Sequence, residues 1–214
     1  DLERLNKEGE LLGLYISGHP LDEYAIVLNN LCTLPMANLE DLNPYLNQEV
    51  TMGGIVTQAN EYISKRGSAY GKIRIEDFNG GGEFPVFGDT WAQFKGYFSV
   101  GNSVFITARV APRRWGDGDP DLQLLKVDWL ADIKDRKVQS ITINANLHAI
   151  DVTLVAELSD LVQNSEGEST LNFHIIDPES GQYVTLSSRD SRINVTRELI
   201  QYIESHPALT YKIN

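Results

Sequence analysis

The chain has 214 residues, 42% of them hydrophobic, and a net charge of −12. That content suits one large or two medium packed domains rather than a disordered polymer. No apolar run approaches the ~18 residues of a membrane span, no secretory signal is visible, and Cys32 is alone, which points to a reducing cytoplasm.

The charge is unevenly spread. Residues 1–49 carry −7, residues 50–130 hold nine basic and nine acidic residues, and residues 131–214 carry −5. A protein that grips duplex DNA by itself is usually basic, because phosphate neutralisation drives most of its affinity. Only the middle segment is free of net repulsion from a phosphate backbone.

Residues 1–49 read as a helical segment. Leu2, Leu5, Leu11, Leu12 and Ile16 form an irregular stripe, which Ser17-Gly18-His19-Pro20 ends. Gly18 tolerates positive φ, and Pro20 disfavours the helical region for His19. Leu21-Asp22-Glu23-Tyr24 restarts as a short helix, and a further turn near residues 38–45 is broken by Pro44. The first residue is Asp, within a helical pattern, so the chain is expected to be a piece of something longer.

Residues 50–130 predict five strands and a helix. The strands are Val50–Ala59, with a bend at Gly53-Gly54, Ala69–Phe78, Glu83–Phe87, Asn102–Val110 and Leu122–Leu130. Asn79-Gly80-Gly81-Gly82 supplies a hairpin turn, and Trp91, Phe94 and Phe98 fall at i, i+3 and i+7 of a helix over Asp89–Phe98. Three strands, a helix and two strands is the order of a five-stranded OB-fold β-barrel, whereas SH3-like barrels usually lack the helix. The charged residues 131–137 read as a linker. Residues 138–214 then predict β-α-β-β-α-β, with a turn at Asp177-Pro178-Glu179-Ser180-Gly181, the order of a ferredoxin-like split βαβ unit. The fold expected is therefore mixed α and β: a helical segment, an OB-fold and a small α+β domain.

Leu11-Leu12-Gly13-Leu14-Tyr15-Ile16-Ser17-Gly18-His19-Pro20-Leu21-Asp22-Glu23-Tyr24 resembles a signature late in the alpha subunit of bacterial DNA polymerase III, just before its OB domain. Gly53-Gly54-Ile55-Val56, Ile75-Glu76-Asp77-Phe78 with Gly80 and Glu83, and Val86-Phe87 resemble the family's OB pattern. The resemblance implies an OB domain that contacts single-stranded template DNA and a terminal domain that binds the tau subunit of the clamp loader. It implies a DNA-directed DNA polymerase as the parent, with its catalytic carboxylates and clamp-binding motif upstream, and residues 1–49 joining that upstream body. No cofactor or membrane partner is implied for this fragment. Pro85 departs from the pattern: it has no N–H to donate within the third strand, so a bulge or a free edge is expected there, with Phe84 displaced.

The candidate nucleic-acid surface follows from the barrel. Tyr62, Lys65, Arg66 and Tyr70 lie in or beside the loop joining the first two strands, and Lys72 and Arg74 point outward from the second. The loop between strands four and five carries Arg113, Arg114 and Trp115, crowded by Asp117, Asp119 and Asp121. Cations beside aromatics suit single strands, because cations track phosphates and rings stack bases. The competing reading is a protein-interaction or spacer module with an incidental basic face. The two differ in whether Tyr62, Tyr70 and Trp115 are exposed beside the cations or buried.

Other motifs are weaker. Gly80-Gly81-Gly82 lacks the lysine and helix of a phosphate loop, and Asp117-Gly118-Asp119-Pro120-Asp121 lacks the distal glutamate of a calcium loop. His148, His174, His206 and Cys32 have no zinc-ligand spacing, and Cys32 reads as a small buried residue.

Overall fold

The computed structural model describes residues 19–113 and 118–214, apart from the side chains of 189–191. The helical stripe expected from Leu2 to Ile16, and Arg114, Trp115 and Asp117, lie outside the described residues. The chain divides into two compact units, Asp1–Leu21 with Val27–Ile133, and Asp22–Ile26 with Lys134–Asn214.

The first unit is built on a five-stranded antiparallel sheet: β1 (Glu49–Ile63), β2 (Ala69–Glu76), β3 (Gly81–Phe87), β4 (Ser103–Ala111) and β5 (Asp121–Trp129). Strand order is β3-β2-β1-β4-β5, so β1 is central and β3 and β5 are the edges. β1 serves two partners: residues 49–55 pair with β4, and residues 55–63 with β2. The hand-over needs a bend, supplied by Gly53-Gly54 and a register shift between Val56 and Gln58. At Gly54 a Cβ would stand 2.3 Å from the Glu76 carbonyl oxygen, so only glycine fits.

The period-two alternation of β2 and β3 sorts the faces. Ile73, Ile75, Phe84 and Val86 are buried with Val50, Met52, Val104 and Ile106 in one core. Phe84 is only 4% exposed, and β3 keeps an unbroken register against β2. The displacement of Phe84 expected from Pro85 therefore does not occur. β3 is an edge strand, where a residue without an N–H can be tolerated.

Two helices flank this core. α1 (Ala25–Leu31) precedes Thr33 and Leu34, whose N–H groups donate to the Thr51 carbonyl at 2.8 and 3.0 Å. α2 (Gly88–Phe94), continued by a 3-10 turn to Tyr97, buries Trp91 and Phe94, with Phe98 beyond it. Trp91 lies on Gly71 of β2, where an added Cβ would come within 2.3 Å of its ring.

Residues 131–137, expected as a linker, are helical: α3 runs Leu130–Lys137, and the division between the two units falls within it. Leu130 and Ile133, one turn apart, are both buried and give the helix an apolar side that its charges conceal in the sequence.

The second unit has β6 (Ser140–Asn146), α4 (Val152–Gln163), β7 (Glu166–Ile176), β8 (Tyr183–Ile193), α5 (Arg197–Ser205) and β9 (Leu209–Ile213). The element order is the expected one, but the topology is not the split βαβ of a ferredoxin-like domain. Strand order is β8-β7-β6-β9, with β6 and β7 parallel and adjacent. The α4 crossover returns the chain directly beside β6. The hairpin at Asp177–Gln182 sets β8 on the outside of β7, and β9 takes the remaining edge of β6 antiparallel. Asp151 and Thr196 cap α4 and α5, accepting from the Leu154 and Leu199 N–H groups at 2.8 and 3.2 Å.

Candidate nucleic-acid interface

The outward residues of β1, β2 and β3 meet in register. Tyr62 stands opposite Tyr70, and Tyr70 opposite Phe87. The three rings form a row across three adjacent strands, with centroids 5.5 Å apart from Tyr62 to Tyr70 and 5.3 Å from Tyr70 to Phe87. Tyr62 is 43% exposed, Phe87 60%, and Tyr70 between them is half-buried. Tyr62 lies on β1 itself, because that strand runs four residues further than the alternation to Ala59 suggests.

The turn that follows is short. The Ser64 N–H donates to the Ser68 carbonyl at 2.8 Å and the Gly67 N–H to the Ser64 carbonyl at 2.9 Å, with Gly67 at φ +80°. Lys65 and Arg66 thus occupy the exposed tip of the β1–β2 hairpin, immediately beyond the aromatic row. Neither has an ion-pair partner among the described residues.

Lys72 and Arg74 also face outward, but both carry a counter-charge. Lys72 Nζ is 3.1 Å from Glu83 Oε1, a diagonal cross-strand pair, and Arg74 Nε is 2.9 Å from Glu76 Oε1. The hydrogen bond to Glu83, followed by that carboxylate's charge, raises the Lys72 pKa, so the ammonium stays charged. These pairs are exposed and easily exchanged for phosphate, yet each arrives with its charge already balanced.

The structure therefore places Tyr62, Tyr70 and Lys72 on one face near the end of the β1–β2 hairpin, with Lys65 and Arg66 at its tip and Arg74 one step further along the face. It adds Phe87, which the sequence reading passed over as a site residue. The alternation of β3 could have found it, since Gly82, Phe84 and Val86 point inward and Glu83, Pro85 and Phe87 outward. Arg113 is exposed in the β4–β5 loop, with Asp121 Oδ1 at 3.9 Å.

His19 accepts the Leu21 N–H at 3.1 Å through Nδ1 and packs against Phe78 with ring centroids 5.0 Å apart, the geometry of a corner residue. Among the described residues no group of three or more His, Cys, Asp and Glu converges to hold a metal ion.

A five-stranded sheet with a shared, bent first strand and a helix between β3 and β4 defines an OB-type domain, here followed by a separate α+β unit. Residues 141–214 match the family described as DNA polymerase III alpha subunit, C-terminal domain. The DNA polymerase III alpha subunit of Mycobacterium tuberculosis is 26% identical over 198 residues, covering 92% of this chain and 16% of the relative. That of Borreliella burgdorferi is 28% identical over 168 residues, covering 78% and 14%. The chain is similar to these DNA polymerase III alpha subunits over most of its own length, and it spans about one sixth of theirs. Among solved structures, the mitochondrial single-stranded DNA binding protein Rim1 of S. cerevisiae is 16% identical, covering 39% of this chain and 95% of that one, at a TM-score of 0.31, too low to weigh.

Proposed function

We propose that this chain is a non-catalytic C-terminal region of a replicative DNA polymerase III alpha subunit, in which the outer face of β1–β3 contacts single-stranded template. The observation that carries the reading is the Tyr62–Tyr70–Phe87 row, exposed at both ends, beside two cations without an ion-pair partner among the described residues at the hairpin tip. Rings stack bases at about 1–3 kcal/mol each, and the cations engage phosphates on either side. Exposure of Tyr62 next to Lys65 and Arg66 favours this reading over a passive spacer.

The affinity is weak. Few phosphates are engaged, Lys72 and Arg74 are already paired, and both flanking segments are acidic. The parent polymerase would act in the cytoplasm, and this region would need no cofactor. Residues 1–49 would join it to the upstream polymerase domains. The terminal unit would bind the tau subunit of the clamp loader, a role supported by its match to the family's C-terminal domain.

Fluorescence anisotropy of a labelled oligo(dT) tests the DNA contact. Saturable binding that weakens with salt, and is lost in Lys65→Glu/Arg66→Glu/Lys72→Glu, is the expected result. A triple variant that binds as well as the native chain would sink it. Surface plasmon resonance of the whole chain over immobilised tau tests the second contact; no response at micromolar tau would refute it.

A further inference from the structure

The spacing of the aromatic row restricts how bases can use it. A base inserted between two rings needs about 3.5 Å of contact on each side, roughly 7 Å from ring to ring. The observed separations are 5.5 and 5.3 Å, at interplanar angles of 26° and 30°. The rings already stack on one another, which leaves no slot between them. What remains open is the two ends.

Those ends are not equivalent. Phe87 stands on β3, an edge strand, so no fourth strand carries the row further on that side. It is the most exposed of the three at 60%, against 43% for Tyr62. Gly88, at φ +54°, turns the chain away directly after it into α2. Phe has no hydroxyl to satisfy, so its exposure has no hydrogen-bonding purpose. Tyr70 is gripped on both sides and half-buried. Its position suits a support that holds the outer rings upright.

Building on the single-stranded DNA reading above, we infer that the row takes nucleobases only at its ends. Phe87 is the principal stacking residue, Tyr62 the second, and Tyr70 a positioning residue that touches no base. Any base presents a π-face, so the recognition is for single-stranded nucleic acid without sequence preference. The strand runs across β3, β2 and β1, from Phe87 to the Lys65–Arg66 tip where its phosphates are met.

The test uses the whole chain and an oligo(dT) carrying one 2-aminopurine, whose fluorescence is quenched on stacking, alongside anisotropy. Phe87→Ala and Phe87→Leu are expected to raise Kd roughly 5- to 150-fold, the range that about 1–3 kcal/mol of stacking corresponds to, and to abolish the quenching. Phe87→Trp should restore both. Phe87 is outside the core, so these variants should melt as the native chain does. If Phe87→Ala binds and quenches like the native chain while Lys65→Glu/Arg66→Glu is impaired, end-stacking is wrong and the DNA reading stands. If the native chain shows no saturable binding, both fall.

Discussion

The distribution of paired and unpaired cations makes a quantitative prediction about salt. For single strands, log Kobs falls with log salt at a slope of about −0.7 per phosphate neutralised. Lys65 and Arg66 would come to the DNA without a counter-charge among the described residues, whereas Lys72 and Arg74 are held at 3.1 and 2.9 Å by Glu83 and Glu76. Exchanging a carboxylate for a phosphate releases a counter-ion from the DNA but leaves the carboxylate to gather a cation of its own. The first pair should therefore account for a slope of about −1.4, and the second for little. A slope of −1.4 means about sevenfold weaker binding for a fourfold rise in salt. Anisotropy titrations with oligo(dT) across a salt series give the slope directly. Lys65→Ala/Arg66→Ala should flatten it by about 1.4, and Lys72→Ala/Arg74→Ala should change it by less than about 0.5. The reverse ranking would show that the ion pairs do not screen these cations and that the hairpin tip is not where phosphates bind.

Gly71→Ala should destabilise the first unit by about 1–3 kcal/mol, because its Cβ would enter the Trp91 ring and loosen that residue's 2.6 Å hydrogen bond to Glu61; urea melts followed by Trp fluorescence measure it, and a loss under about 0.5 kcal/mol would refute the packing account. Asp151→Ala removes the α4 cap and should cost about 1 kcal/mol, read from circular dichroism melts, with oligo(dT) binding unchanged. Burial, and secondarily Asp77, push the Cys32 thiol up to about 12, so it should react slowly with a disulfide reagent at pH 8 and at the rate of a free thiol once the chain is denatured. Because the folded form holds this proton while an unfolded thiol ionises near pH 9, the same group makes stability fall as pH rises from about 9 towards 12; a melting temperature that rose over that window would contradict it.

Much of the first unit was legible because its signals are local. Ile73 and Ile75 against Lys72 and Arg74, the glycine bend in β1 and the Trp91–Phe94–Phe98 spacing each decide a strand, a bend or a helix by themselves. What stayed hidden depends on partners. Whether Lys72 is free or neutralised turns on the register that sets Pro85 opposite it and Glu83 diagonal to it. The order β-α-β-β-α-β is compatible with more than one strand sequence in the sheet, and only the placement of β7 beside β6 separates this topology from the ferredoxin-like one. In α3 the charges of residues 131–137 hide a helix whose Leu130, expected to end the fifth strand, and Ile133 are both buried. Phe87 is a different case: its outward position follows from alternation alone, but its importance follows from Tyr70 standing next to it.

Pro85 has a consequence for self-association. Edge strands invite a second chain to add itself, and a proline removes one of the donors such a newcomer needs. β3 thus displays a bare phenylalanine beside an edge that resists further growth. β8, one edge of the other sheet, has no proline between Tyr183 and Ile193 and leaves Tyr183, Val184 and Leu186 exposed. When this chain is concentrated, the onset of clumping should belong to the terminal unit, and a proline or lysine placed along β8 would be the first remedy to try for keeping it in solution.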